Sequence, residues 1–109
     1  MLQTFLQIAL DTPLNRLFDY LPPDDIESKQ LTPGVRLLVP FGRQEMTGIL
    51  ISLSNHSEVA KDKLRPAKQL LDQSPLLDDT LLNLAEWISN YYHYPLGQTL
   101  ACFLPGLFY

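Results

Sequence analysis

The sequence predicts an α+β fold, with a β-rich, small barrel-like part over residues 1–72 and a helical part over 73–109. Three observations predict it. Apolar runs in the first part are only five to eight residues long and stop at proline, glycine or polar clusters, which favours strands over helices. A glycine, Gly48, sits inside one of these runs, where it predicts the bulge or sharp bend that a small barrel needs. From Ser74 onward the apolar period changes to three and four. The 109 residues fit one domain, and 46% hydrophobic with 18% charged residues is a globular balance.

The first element covers residues 4–10 and stops at Asp11-Thr12-Pro13. Leu14 to Leu21 reads as a second extended segment, ended by Pro22-Pro23. A polar loop with Asp24, Asp25 and Glu27 follows. Thr32-Pro33-Gly34 is a strong turn signal, because proline pre-sets one dihedral and glycine accepts positive φ. Val35 to Val39 reads as a strand bounded by Pro40, and Phe41 to Glu45 as a loop. Thr47 to Ser54 alternates and is the clearest strand. Asn55 to Lys63 is a polar connection, and Pro66 to Leu71 is one more strand.

Asp78-Asp79-Thr80 supplies N-terminal caps for a helix with Leu81, Leu84, Ala85, Ile88, Tyr91 and Tyr92 at helical spacing. Trp87 and Tyr91 to Tyr94 read as core in preference to interface. Pro95 ends that helix, and a short apolar stretch, Gln98 to Leu104, follows up to Pro105-Gly106. Cys102 lies in it and reads as a small buried hydrophobe. The apolar ending Leu107-Phe108-Tyr109 implies a cut within a longer protein.

Several chemistries are missing from the sequence. There is no P-loop and no dinucleotide-binding glycine fingerprint. One cysteine excludes an internal disulfide and a multi-cysteine zinc site. His56 and His93 lack partners at metal-ligand spacing, and the pairs Asp24-Asp25 and Asp78-Asp79 read as solvated charge. No run approaches the ~20 apolar residues of a membrane span, so the chain reads as cytoplasmic with no membrane partner. The net charge of −4 argues against a long, sequence-blind nucleic-acid groove. Lys61, Lys63, Arg65 and Lys68, however, form a local basic strip suited to one or two phosphates.

Three stretches, in order along almost the whole chain, carry a resemblance. They are Arg16-Leu17-Phe18-Asp19-Tyr20-Leu21, then Gly34 to Arg43 (GVRLLVPFGR) with Gly48-Ile49-Leu50, and Ala85 to Gly97 (AEWISNYYHYPLG). They resemble the "FDY", "G-x-R-V-x-V-P-F-G-(K/R)" with "G-I-V", and "A-x-Y-Y-x-x-P-(I/L)-G" runs of the N-terminal DNA-binding domain of the PriA (primosomal protein N′) family of replication-restart helicases.

The resemblance implies a domain without catalysis that recognises the 3′-terminal nucleotide of the nascent leading strand at a stalled replication fork. The implied pocket falls on Phe18, Asp19, Gly42 and Arg65, with Arg43 and Lys61 as helpers. Arg65 departs from the family's lysine, keeping charge while changing hydrogen-bond geometry. The whole protein implied is an ATP-dependent 3′-to-5′ DNA helicase, with ATP, magnesium and zinc held outside this domain. Implied partners are DNA with a free 3′ end, other domains of the helicase, primosome proteins and single-stranded DNA-binding protein. The alternative is a protein-interaction module that docks a partner, or the helicase core, through the aromatic face of its helix.

Overall fold

Branched and aromatic residues alternating between turns build five strands. These are β1 (Phe5–Ala9), β2 (Phe18–Tyr20), β3 (Arg36–Phe41), β4 (Gln44–Ser54) and β5 (Gln69–Leu70). Helices α1 (Asp79–Tyr92) and α2 (Leu96–Phe103) complete an α+β arrangement. The computed structural model describes residues 4–24, 31–104 and 106–108, so Asp25, Glu27, Pro105 and Tyr109 lie outside the described residues.

The strands form one antiparallel sheet in the order β2-β1-β4-β3-β5. Its two edges meet where Leu21 bridges Pro66 in parallel. The Leu21 N–H donates to the Arg65 carbonyl at 3.0 Å, and the Ala67 N–H donates to the Leu21 carbonyl at 2.8 Å. This contact curls the sheet into a small barrel and ties the residue after β2 to the backbone of Arg65. Two cores result. Leu6, Ile8, Tyr20, Leu37, Val39 and Leu50 fill the barrel side, while Ala9, Ile49, Leu82, Ala85 and Leu100 join the sheet's outer face to the helices. β4 therefore carries apolar residues on both faces, each fully buried Leu or Ile contributing roughly 1.5–3 kcal/mol.

Five expectations are corrected. β3 does not stop at Pro40 but runs through it to Phe41. Along β3 the backbone groups of Arg36 and Leu38 face β5, where Leu71 N–H and Lys68 N–H donate to their carbonyls. Pro40 shares that alternation, and β5 does not reach its level, so its missing N–H removes no ladder bond. The expected loop over residues 41–45 shrinks to Gly42-Arg43, because Phe41 pairs with Gln44 and Pro40 with Glu45. Gly42 has φ +61° at the first loop position, as a type II′ hairpin turn demands.

The bulge lies at Ile51 and not at Gly48: Gln7 pairs with Ser52 and Ile8 with Leu50, leaving Ile51 as the extra residue. Gly48 is needed for packing, since a Cβ there would stand 2.4 Å from Ile8 Cγ2 and 2.8 Å from Leu10 Cδ2. The turn at Gly34 matches its signal, with φ +102° and the Val35 N–H donating to the Thr32 carbonyl at 3.3 Å.

The face that α1 buries also differs. Asp78 caps the helix as expected, accepting from the Leu81 N–H at 2.9 Å. The buried stripe, however, is Leu82, Ala85 and Ser89. Leu82 and Ala85 pack with Ala9, Ile49 and Ile51 of the sheet, and this stripe turns the aromatic side of the helix outward. Trp87, Tyr91 and Tyr92 are consequently 59%, 63% and 67% exposed, not core. Trp87 and Tyr91 stack on each other with centroids 5.1 Å apart. Cys102 is exposed, because it lies roughly 200° around α2 from buried Leu100.

Candidate nucleic-acid interface

β2 positions the first candidate pair by simple alternation. Tyr20 points into the barrel core, and its hydroxyl donates to the Pro40 carbonyl at 2.6 Å. Burial pushes its phenol above the ordinary range, against a smaller opposite pull from the positive charge of Arg65. Asp19, one residue back, faces the other way, paired with Gln7 of β1. Phe18 is half-buried at the core margin. It meets Phe41 edge-to-face with centroids 5.2 Å apart, and the Arg16 guanidinium lies 4.9 Å from its ring centre.

Arg16, Phe18, Asp19 and Tyr20 line a cleft of about 470 Å³ together with Glu58, Val59, Lys63 and Arg65. A second cleft, of about 860 Å³, holds Gly42, Arg43, Gln44, Pro66 and again Arg65. Both volumes suit a nucleotide-sized ligand. Arg65 is exposed and belongs to both clefts. Its Nη1 donates to the Gly42 carbonyl at 3.3 Å, linking the tip of the β3–β4 hairpin to the barrel seam. Arg65 thus shares one cleft with Phe18 and Asp19 and the other with Gly42. A Cβ built on Gly42 would meet nothing within 4 Å, so the space above that backbone is open.

Arg43 lines the second cleft. Lys61 lies in the 3₁₀ turn Lys61–Lys63, and its side chain falls outside the described residues. Lys68 is drawn into an ion pair with Glu45 at 2.5 Å, leaving it less suited to a ligand phosphate. In the first cleft Arg16, Lys63 and Arg65 stand against two carboxylates, Asp19 and Glu58. A locally positive cleft on an acidic domain follows. By contrast, the cleft between the hairpin and the C-terminal segment presents Asp11, with Glu45 already paired to Lys68, and no cation among its described lining residues.

Two further residues touch the candidate residues. Arg16 carries a legible signal, since in an extended segment it shares a side with Phe18 two positions on. Ser57 carries none. It comes from the polar connection after β4, and its hydroxyl donates to Asp19 Oδ2 at 2.6 Å across 38 positions of sequence.

Comparison with known proteins places the chain in a family. The chain is 41% identical over 100 residues, 92% of its length, to the replication restart protein PriA of Haemophilus influenzae, and spans 13% of that protein. It is 37% identical over 95 residues, 85% of its length, to the PriA of Rickettsia conorii, spanning 14% of it. It is 28% identical over 89 residues, 79% of its length, to the PriA of Bacillus subtilis, spanning 11%. The family described as the 3′ DNA-binding domain (3′BD) of PriA matches residues 7–105, nearly the whole chain. With that match spread across barrel and helices alike, the chain belongs to the PriA 3′ DNA-binding domain family.

Proposed function

We propose that this single domain of 109 residues holds the 3′-terminal nucleotide of a DNA strand, the nascent leading strand at a stalled fork, for a replication-restart helicase. The observation that carries this reading is the convergence of both clefts on Arg65. A terminal nucleotide presents one base, one sugar with a free hydroxyl and one flanking phosphate. The base stacks on the Arg16–Phe18 pair, which accepts any base because every base has a π-face. Asp19 accepts hydrogen bonds from a base amine or the 3′-hydroxyl. The sugar passes the side-chain-free Gly42, and Arg65 neutralises the phosphate with help from Arg43 or Lys61.

In this reading the domain binds and does no chemistry. ATP-driven 3′-to-5′ unwinding, with ATP, magnesium and zinc, belongs to the rest of the helicase. Primosome proteins and single-stranded DNA-binding protein are partners of the whole protein in the cytoplasm. A second reading, docking of a partner or of the helicase core through α1, draws support from the exposed Trp87 and Tyr91.

Fluorescence anisotropy with short oligonucleotides tests the reading. The domain will prefer a single-stranded 3′-hydroxyl end over a 3′-phosphate end, whose added negative charge faces Asp19, and over a duplexed end, whose base is already stacked and paired. With one to two phosphates neutralised, the logarithmic salt slope will be about −0.7 to −1.4. Asp19→Ala and Gly42→Val will each weaken 3′-end binding. Equal affinity for all three ends, or none for any, contradicts the reading.

A further inference from the structure

We propose that Ser57 is a positioning residue that fixes Asp19 so that a single carboxylate oxygen, Oδ1, is offered to the terminal nucleotide. The inference rests on the 3′-end reading above and deepens it. Ser57 is half-buried, and its oxygen makes two hydrogen bonds with opposite roles. It accepts from the Val59 N–H at 3.1 Å, closing a small serine turn, and it donates to Asp19 Oδ2 at 2.6 Å. The accepting bond orients the hydroxyl, so its one proton is committed to Asp19.

The same loop builds the wall of the cleft. Ser54 closes a second serine turn, its oxygen accepting from the His56 N–H at 3.1 Å and donating to the His56 carbonyl at 2.9 Å. Glu58 and Val59, the two residues after Ser57, line the cleft with Phe18 and Asp19. The loop after β4 is therefore fastened to β2 through the Ser57–Asp19 contact.

The consequence is selectivity for a hydrogen-bond donor. An aspartate on a strand turns freely about its terminal torsion, and either oxygen then presents itself at any angle. With Oδ2 held by Ser57, the remaining acceptor keeps one direction. A ligand hydroxyl meets a preorganised partner there, whereas a strand end lacking that hydroxyl leaves the acceptor unmatched. Ser57 thus acts through Asp19 and makes the site sensitive to the 3′-hydroxyl itself.

The test is anisotropy with two single-stranded oligonucleotides that differ only in a 3′-hydroxyl or a 3′-hydrogen at the last sugar. Wild type will favour the hydroxyl end. Ser57→Ala will reduce that preference by about three- to tenfold, the worth of one hydrogen bond, and Ser57→Thr will restore it. If Ser57→Ala loses its cooperative melt, Ser57→Cys, a weak donor of similar size, answers the same question with an intermediate preference.

A Ser57→Ala preference equal to that of a discriminating wild type overturns the inference alone. So does a loss of affinity that is equal for both ends, since that marks a purely structural role. A wild type that binds both ends equally overturns the end-recognition reading together with this inference.

Discussion

Gly97→Ala will strongly destabilise the domain, lowering its Tm by more than ~10 °C in a circular-dichroism scan. A Cβ on Gly97 would stand 1.7 Å from the Leu10 carbonyl oxygen and 2.5 Å from its carbon. Both are backbone atoms at the end of β1, so no rotamer change relieves the clash. Either α2 moves outward or the chain after β1 does. Moving α2 would withdraw Leu96 and Leu100 from the core that joins the helices to Ile49 and Ile51. Overpacking of this kind costs about 3 kcal/mol, a large part of the 5–15 kcal/mol that stabilises a typical domain. For a domain of this size each kcal/mol moves Tm by roughly 4–8 °C. A Gly97→Ala protein that melts within a few degrees of wild type contradicts the close approach.

Asp72→Ala will destabilise the fold by about 2–4 kcal/mol, the loss expected when one partner of a largely buried charged pair is removed. Asp72 accepts from Arg36 three times: from Nε and the backbone N–H at Oδ2 and from Nη2 at Oδ1, each at 3.0 Å. Arg36 Nη1 also donates to the Leu107 carbonyl at 3.3 Å, so the pair clips the barrel to the C-terminal segment. Their side chains are only 23% and 13% exposed, which limits solvent screening. The hydrogen bond from Arg36 holds the Asp72 carboxyl below its ordinary range despite opposing burial.

That direction fixes the pH dependence. A carboxyl whose folded pKa is depressed contributes stability that is present above its unfolded value, near ~4. The contribution is lost as pH falls from there through the folded pKa. Wild type will therefore lose stability on acidification below about pH 4 more steeply than Asp72→Ala. Urea melts across that range check it, and parallel curves for the two proteins contradict it.

The strands and helices were legible because turn chemistry punctuates them. Thr32-Pro33-Gly34 and Asp78 act through local backbone geometry, which the residues themselves encode. Pro40 and Gly48 misled because each was read by itself. Whether a proline breaks a strand depends on which side its neighbours pair, and Gly48 answers to Ile8 and Leu10 from another strand. The α1 aromatics misled for a similar reason. Periodicity shows that one stripe is buried, but which stripe depends on what the helix packs against, and here Leu82, Ala85 and Ser89 are buried while Trp87 and Tyr91 are exposed.

The site was less legible than the fold. Alternation alone separates Asp19 from Tyr20. Bringing Arg65 to Gly42 takes the barrel seam at Leu21 and Pro66, and bringing Ser57 to Asp19 takes the fold of the loop after β4. The recognisable motifs also mix roles. In the run from Gly34 to Arg43, Arg36 and Pro40 serve the fold, while Gly42 and Arg43 face the cleft. Acidic net charge, taken over the whole chain, conceals the three cations beside Phe18 and Asp19.

In the proposed reading one terminal nucleotide sits where the two clefts meet at Arg65. Amide chemical-shift mapping of the domain against a short single strand with a free 3′-hydroxyl checks this placement. The largest changes are expected at Phe18, Asp19, Gly42 and Ser57 and in the Arg65 side chain, with α1 unmoved. Changes centred on Trp87, Tyr91 and Tyr92, with the barrel seam silent, would contradict it.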